Sequence, residues 1–462
     1  MGLGKVAVLG LGQIGQNIIL NLRDDGFDVI CYSIFKKERV SFQKKMVLKD
    51  KLFFPETLND LCDLFGNTQK RIILSIKAGD PIDRLLVILI PLLKENDIII
   101  DSGNSFFKDS ENREKILKEK NIIFLDVGIS GGIKGARYGA SLMIGGNTEG
   151  FYRCEDILQS LSANYKGELC YELLGPSGVG HFIKMVHNGI EYALMQLIKE
   201  YYFLLKNIFN LSSDEVLKYF KKLNRHKNKS YLLQITENIL KTRECNSSQL
   251  VIDMIKDSAY QKGTGKWASL TALELGSPAS LIILATIERE ISSSMLRKYK
   301  LPKNVGKRNN KYQIEKYFYK IEESFYLCFL VAYSQGFDII QKAVNVYGWD
   351  LNPSTVAGIW RKGCIIQSSL IIEIHNVLKQ KSPDLPLISF ASWGIVEKQK
   401  SLIDIVRLVM DNIDPLPLIC NVHQYLNSIQ SNKMPTNLIQ AQRDYFGRHG
   451  FERIDKDGLF HQ

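Results

Sequence analysis

No apolar run in this chain is long enough to cross a bilayer. The longest, Leu85–Leu93, is interrupted by Pro91 and falls well short of the ~20 residues a membrane helix needs. No charged, apolar, small-residue sequence opens the chain, so a signal peptide is not expected. The eight cysteines, at positions 31, 62, 154, 170, 245, 328, 364 and 420, form no Cys-x-x-Cys pair, and the seven histidines show no metal-ligand spacing. These absences predict reduced, mostly buried thiols, no structural metal and a cytoplasmic protein. A content of 45% hydrophobic and 24% charged residues excludes a disordered or fibrous chain. At 462 residues it is too long for one compact core, so at least two packed units are expected.

Acid is the scarcer charge: 49 Asp and Glu against 60 Lys and Arg give a net charge of +11. Much of the excess lies in Lys221–Lys229 and Arg297–Lys320. Neither stretch is interleaved with glycine and aromatics as an RNA-recognition motif would be. The reading is a solvated basic surface, with no specific nucleic acid and no membrane as partner.

In the first third, short apolar runs alternate with amphipathic stretches. Val6–Gly10, Asp28–Ser33, Ile72–Ala78, Asp97–Ser102 and Ile122–Val127 read as buried strands, with Ala140–Gly146 as a further one. That alternation implies a parallel sheet flanked by helices. After Gly175-Pro176-Ser177-Gly178 long helical patterns dominate, such as Met185–Leu204 and Leu281–Tyr299. The predicted fold is an α/β dinucleotide-binding (Rossmann-like) domain, residues 1–177, then a large all-α domain, 178–434, and a short C-terminal tail, 435–462. The tail has no apolar period and cannot form a core alone. It is expected to be frayed or bound against something else, such as another subunit.

Gly10-Leu11-Gly12-Gln13-Ile14-Gly15 follows the first strand and opens a helix. Gly10 permits a tight turn, Gly12 lets backbone approach a pyrophosphate, and Gly15 allows close helix–strand packing. The helix amino terminus then faces the phosphates. After the second strand comes Ser33-Ile34-Phe35-Lys36-Lys37. An acid there would bond a free ribose 2′-hydroxyl and an arginine a 2′-phosphate. The run has neither, so ordinary NAD recognition is poorly supported. Lys36 or Lys37 can meet a 2′-phosphate without arginine's planar fork, or can simply be surface lysines.

Ser130-Gly131-Gly132 offers a hydroxyl and unobstructed N–H groups suited to a carboxylate or phosphate, though a plain turn reads the same way. The strongest local pattern is Lys184, His187, Asn188, Glu191 and Tyr192, spaced i, i+3, i+4, i+7 and i+8 on one helix face. Such spacing usually carries an apolar stripe. Here it carries a base, an acid, an amide and two polar rings, the content of an active-site face rather than of a solvated one. Lys262-Gly263-Thr264-Gly265-Lys266-Trp267 lacks the spacing of a nucleotide-triphosphate loop, yet its lysines and hydroxyl suit a phosphate.

Taken in order, these blocks resemble 6-phosphogluconate dehydrogenase over almost the whole chain. Asp101–Ser105, Gly135–Gly139, Ile359-Trp360-Arg361 and Gln440–Gly447 continue the match. The resemblance implies oxidative decarboxylation of 6-phosphogluconate to ribulose 5-phosphate with NADP, NAD remaining possible. It implies Lys184 as base and then acid at the 3-hydroxyl, and Glu191 as the acid that completes tautomerisation. It places Asn104, Ser130, Gly131, Gly132, His187 and Asn188 around the substrate's carboxylate and hydroxyls. Tyr192, Lys262, Thr264 and Arg289 would hold its phosphate, and Lys77-Ala78-Gly79, with Asn104, would lie by the cofactor. Arg443 and His449 would come from the neighbouring subunit of a homodimer. Three departures stand out: Ser33-Ile34-Phe35 where the family has Asn-Arg-Thr, Ile133-Lys134 for an acidic pair, and Gln367 for an arginine. Within enzymes, another β-hydroxyacid dehydrogenase is the nearest alternative; a catalytically silent dinucleotide-binding sensor is the other.

Overall fold

The computed structural model describes residues 4–462 except 47–49, 246, 248, 300–311, 381–385, 391–392 and 413–414. Much of the second lysine-rich stretch therefore lies outside the described residues.

Eight strands make one sheet: β1 (Lys5–Leu9), β2 (Asp28–Tyr32), β3 (Leu52–Phe53), β4 (Arg71–Leu74), β5 (Ile98–Asp101), β6 (Ile123–Ser130), β7 (Ser141–Gly146) and, after a small hairpin of β8 (Asn164–Tyr165) and β9 (Glu168–Leu169), β10 (Tyr171–Gly175). Their spatial order is β10-β7-β6-β5-β4-β1-β2-β3. The first six run parallel, as the alternation predicts, whereas β7 lies antiparallel to β6 and pairs in parallel with β10. Strand residues alternate between two buried clusters: Val6, Val8 and Val29 face one side, Ala7, Leu9 and Ile30 the other. Burial on both faces is why these strands read as continuous apolar runs. β3 and β10 escape that signature: β3 is two residues long, and β10 is an edge strand carrying exposed Glu172.

Because the six strands run the same way, their carboxyl ends share one edge. The Gly10 turn, Ser33, the Lys77 loop, Asn104 and Ser130 all follow or end such strands, where ligands bind in open α/β sheets.

The second half is helical around a core of its own. Helix Val179–Phe203 packs against β6 and β7 on one side and helices Thr264–Glu274, Ser280–Ser293 and Ile314–Tyr347 on the other. The predicted helix Leu281–Tyr299 breaks at Ser294 into two pieces. All eight cysteines are free and six are buried. In the first lysine-rich stretch, Lys227 pairs with Glu323 and Lys222 lies over the Tyr219 ring, so part of that charge serves internal packing.

The tail is folded rather than frayed. It folds into helix Asn437–Gly447 and a hairpin of Phe451–Glu452 with Leu459–Phe460. Asp444 organises it by accepting from the Gly450 N–H at 2.8 Å, the Gln462 N–H at 2.7 Å and His461 Nδ1 at 2.8 Å. Local polar bonds thus replace the missing apolar period. Every side-chain hydrogen bond of residues 431–462 among the described residues stays within that segment.

Candidate active site

The long helix begins at a carboxylate that sequence reading overlooked. Asp126, wholly buried at mid-strand in β6, accepts from the backbone N–H groups of Gly178 and His181, each at 2.8 Å. A buried acceptor at a helix amino terminus satisfies groups that otherwise have no partner. One turn later Lys184 lies over Gly128 of the same strand.

Four of the five predicted face residues form one cluster. Lys184 Nζ donates to Asn188 Oδ1 at 2.8 Å, and His187 Nδ1 lies 3.3 Å from the same oxygen and 3.9 Å from Glu191 Oε2. His187 Nε2 lies 2.9 Å from Ser130 Oγ, which also accepts from the Ile365 N–H at 3.3 Å. Lys184, His187, Asn188 and Ser130 are all buried, and Glu191 keeps about a fifth of its side chain exposed. This excludes a solvated polar face. Trp360 meets the His187 ring edge-on and fixes it from behind.

Burial sets the electrostatics. It lowers the Lys184 pKa, against the opposing pull of Glu191, and raises that of Glu191, against Lys184 and Arg289. It pushes His187 well below its ordinary value, with Lys184 adding in the same direction. A lysine biased toward the neutral amine and a carboxyl biased toward the acid are the states needed for a base and an acid.

Tyr192 is engaged by a second group of residues, next to Glu191, with which Arg289 also interacts. The Arg289 guanidinium stacks 3.4 Å from its ring centroid, and Gly265 backs the ring so closely that a Cβ there would come within 2.3 Å of it. Thr264 opens the helix behind Gly263, and Lys262 is exposed beside it. Arg289 and the Gly265 backbone thus flank one aromatic ring, with Thr264 and Lys262 on the segment that leads into Gly265.

Gly131 has φ 117°, and a Cβ there would strike the Gly363 carbonyl at 2.4 Å, so only glycine fits. The Gly363 N–H donates to Gln367 Oε1 at 2.9 Å, which gives the departing residue Gln367 a role in holding that loop. Gly132 starts the following short helix.

At the other end of the sheet edge, Gly10 takes φ 111° and its N–H donates to the Tyr32 carbonyl at 2.8 Å. A Cβ on Gly15 would come 1.9 Å from the Gly10 carbonyl, whereas one on Gly12 would meet nothing within 4 Å. Helix Gln13–Asp24 has no side-chain cap and no acid in its first turn, so the N–H groups beside Gln13 and Ile14 are free for an anion. The cradle fits a dinucleotide pyrophosphate.

Arg113, which sequence reasoning does not single out, ties together the two loops expected to lie by the cofactor. Its Nη2 donates to the Gly79 carbonyl at 3.3 Å behind Lys77 and Ala78. Its Nη1 donates to Ser105 Oγ at 3.1 Å beside Asn104, in a loop also held by Asp101. Arg443 and His449 are exposed on the tail and are not brought to the Lys184 cluster within this chain.

Residues 5–175 match the NAD binding domain of 6-phosphogluconate dehydrogenase, and residues 180–462 match the 6-phosphogluconate dehydrogenase C-terminal domain. The chain belongs to the 6-phosphogluconate dehydrogenase family. It is 37% identical to the decarboxylating 6-phosphogluconate dehydrogenase of Rattus norvegicus, over 100% of this chain and 96% of that one. It is 36% identical to the NADP(+)-dependent, decarboxylating enzyme of Bacillus subtilis, over 99% and 98%. The solved 6-phosphogluconate dehydrogenase of Plasmodium falciparum, described with its cofactor NADP+ and its substrate 6-phosphogluconate, superposes with a TM-score of 0.93 at 33% identity, covering 99% of both chains. Family membership accounts for the co-assembly of a dinucleotide cradle and a polar helix face in one chain.

Proposed function

We propose that this chain oxidatively decarboxylates 6-phosphogluconate to ribulose 5-phosphate and carbon dioxide, with NADP as the oxidant. The observation that carries the reading is the buried Lys184–Asn188–His187–Ser130 cluster with Glu191 at its rim. When bound, NADP supplies the acceptor for the hydride leaving C3.

Neutral Lys184 takes the proton of the 3-hydroxyl as C3 is oxidised. The carboxylate of the resulting β-keto acid leaves as carbon dioxide, and its bonding electrons form an enediol as Lys184 returns a proton to the C3 oxygen. Glu191 then protonates the carbon that becomes C1 of the product while Lys184 takes back the proton of the C3 oxygen, which leaves the ketone. His187, held neutral, and Asn188, Ser130, Gly131, Gly132 and Asn104 orient the carboxylate and hydroxyls. Tyr192, Arg289, Lys262 and Thr264 hold the phosphate. Gly10, Gly12, Gln13, Ile14, Gly15, Ser33, Lys36, Lys37, Lys77, Ala78 and Asn104 line the cofactor. We place the change from dinucleotide domain to helical domain at 177/178 and the start of the tail at 435.

The active unit in this reading is a homodimer in which Arg443 and His449 complete the partner's site. A tail whose side-chain hydrogen bonds, among the described residues, stay within it while Leu438, Ile439, Tyr445 and Phe446 are exposed supports it. The eight unpaired cysteines support a cytoplasmic setting. Among the described residues no helix is long and apolar enough to cross a membrane.

Steady-state assays with 6-phosphogluconate, unphosphorylated gluconate and a short β-hydroxy acid test the assignment. 6-Phosphogluconate is expected to be used far better than either. A preference for the short acid would move the chain to another β-hydroxyacid dehydrogenase activity.

A further inference from the structure

The sequence places neither an acid nor an arginine directly after β2, but the structure brings one of each there. Helix Lys36–Lys45 turns back on the strand end, so residues five and six positions after Ser33 reach it. Ser33 Oγ donates to Glu38 Oε2 at 2.6 Å. Arg39 Nη1 donates to the Ser33 carbonyl, and its guanidinium lies 5.3 Å from the Tyr32 ring centroid. Tyr32 is the residue whose carbonyl receives the Gly10 N–H of the pyrophosphate turn.

Among the described residues, that single bond is the only side-chain hydrogen bond Arg39 makes, and no carboxylate pairs with it. Its guanidinium has five N–H donors, so most of the fork is uncommitted while the stem is fixed by the strand end and the ring. Lys36 and Lys37 are exposed and make no side-chain hydrogen bond or ion pair among the described residues. Ile34, at the position where an arginine was expected, is 67% exposed and offers no donor.

We propose that Arg39 is the residue that reads the 2′-phosphate of NADP, with Glu38 beside it opposing that phosphate and accepting the 2′-hydroxyl of NAD. The proposal rests on NADP being the cofactor. Cofactor choice in this chain is then a contest between adjacent residues of one helix turn, and the two lysines add only a diffuse attraction.

The test is the affinity of 2′,5′-ADP and 5′-AMP, measured calorimetrically for the full chain, its Arg39→Ala, Arg39→Lys, Glu38→Gln and Lys36→Ala/Lys37→Ala variants, with NADP affinity for the unaltered protein. Arg39→Ala is expected to lose ~10- to 100-fold in 2′,5′-ADP affinity, as for a lost charged hydrogen bond, while 5′-AMP binding holds within about twofold. Arg39→Lys should recover part of the loss, Glu38→Gln should tighten 2′,5′-ADP, and the double lysine variant should lose less than Arg39→Ala. Arg39→Ala binding 2′,5′-ADP like the unaltered protein, or losing both nucleotides equally, would overturn the proposal. An unaltered protein that does not bind NADP would overturn the cofactor reading itself, whatever Arg39 does.

Discussion

Gly128 lies directly beneath Lys184: a methyl group added at position 128 would come within 2.4 Å of Lys184 Cβ and 3.0 Å of its Cγ. The stem of the proposed base therefore rests on bare strand backbone, and its Nζ reaches Asn188 from that seat.

Gly128→Ala should displace Lys184 without removing any polar atom. The expected result is a fall in kcat of tenfold or more, with a stability cost of about 1–3 kcal/mol for overpacking. Thermal melts and steady-state rates on the same preparation check both. A kcat equal to that of the unaltered protein would mean that the seat does not govern the reaction.

Sequence reading found the strands buried on both faces because they are unbroken apolar runs, and the site helix because polar residues stood at core spacing. It could not see Asp126, Arg113 or the Glu38–Arg39 pair. Asp126 and Arg113 act on groups distant in sequence, Asp126 on Gly178 and His181 and Arg113 on Gly79. Glu38 and Arg39 lie one helical turn beyond the position that fingerprint reading inspects. The tail helix was missed because Asp444 replaces an apolar stripe with three polar bonds.

The pH profile of kcat/KM should be bell-shaped. Lys184 must be neutral, so its lowered pKa brings the rising limb to lower pH than a free lysine would show. Glu191 must be protonated, so its raised pKa carries the falling limb above the usual carboxylate range. Glu191→Gln keeps the shape but cannot donate a proton. It is expected to lower turnover by ~10²–10⁴-fold and to erase the falling limb. An unchanged rate and profile would remove Glu191 from the acid role.

Subunit mixing tests the shared site. Lys184→Ala and Arg443→Ala homodimers should each be nearly inactive. After exchange, mixed dimers carry one site in which both residues are intact, so activity should return to a substantial fraction of normal. No recovery after exchange is verified by mass would show that Arg443 serves its own chain.

The most direct test follows reduced nicotinamide and carbon dioxide together, with 6-phosphogluconate and NADP, for the unaltered protein and Lys184→Ala. The account predicts one carbon dioxide per reduced cofactor in the unaltered protein. In the variant both should fall together by ~10²–10⁴-fold, as for loss of a general base, with NADP binding retained. Oxidation without carbon dioxide release, or a Lys184→Ala variant turning over within a few-fold of the unaltered rate, would contradict it.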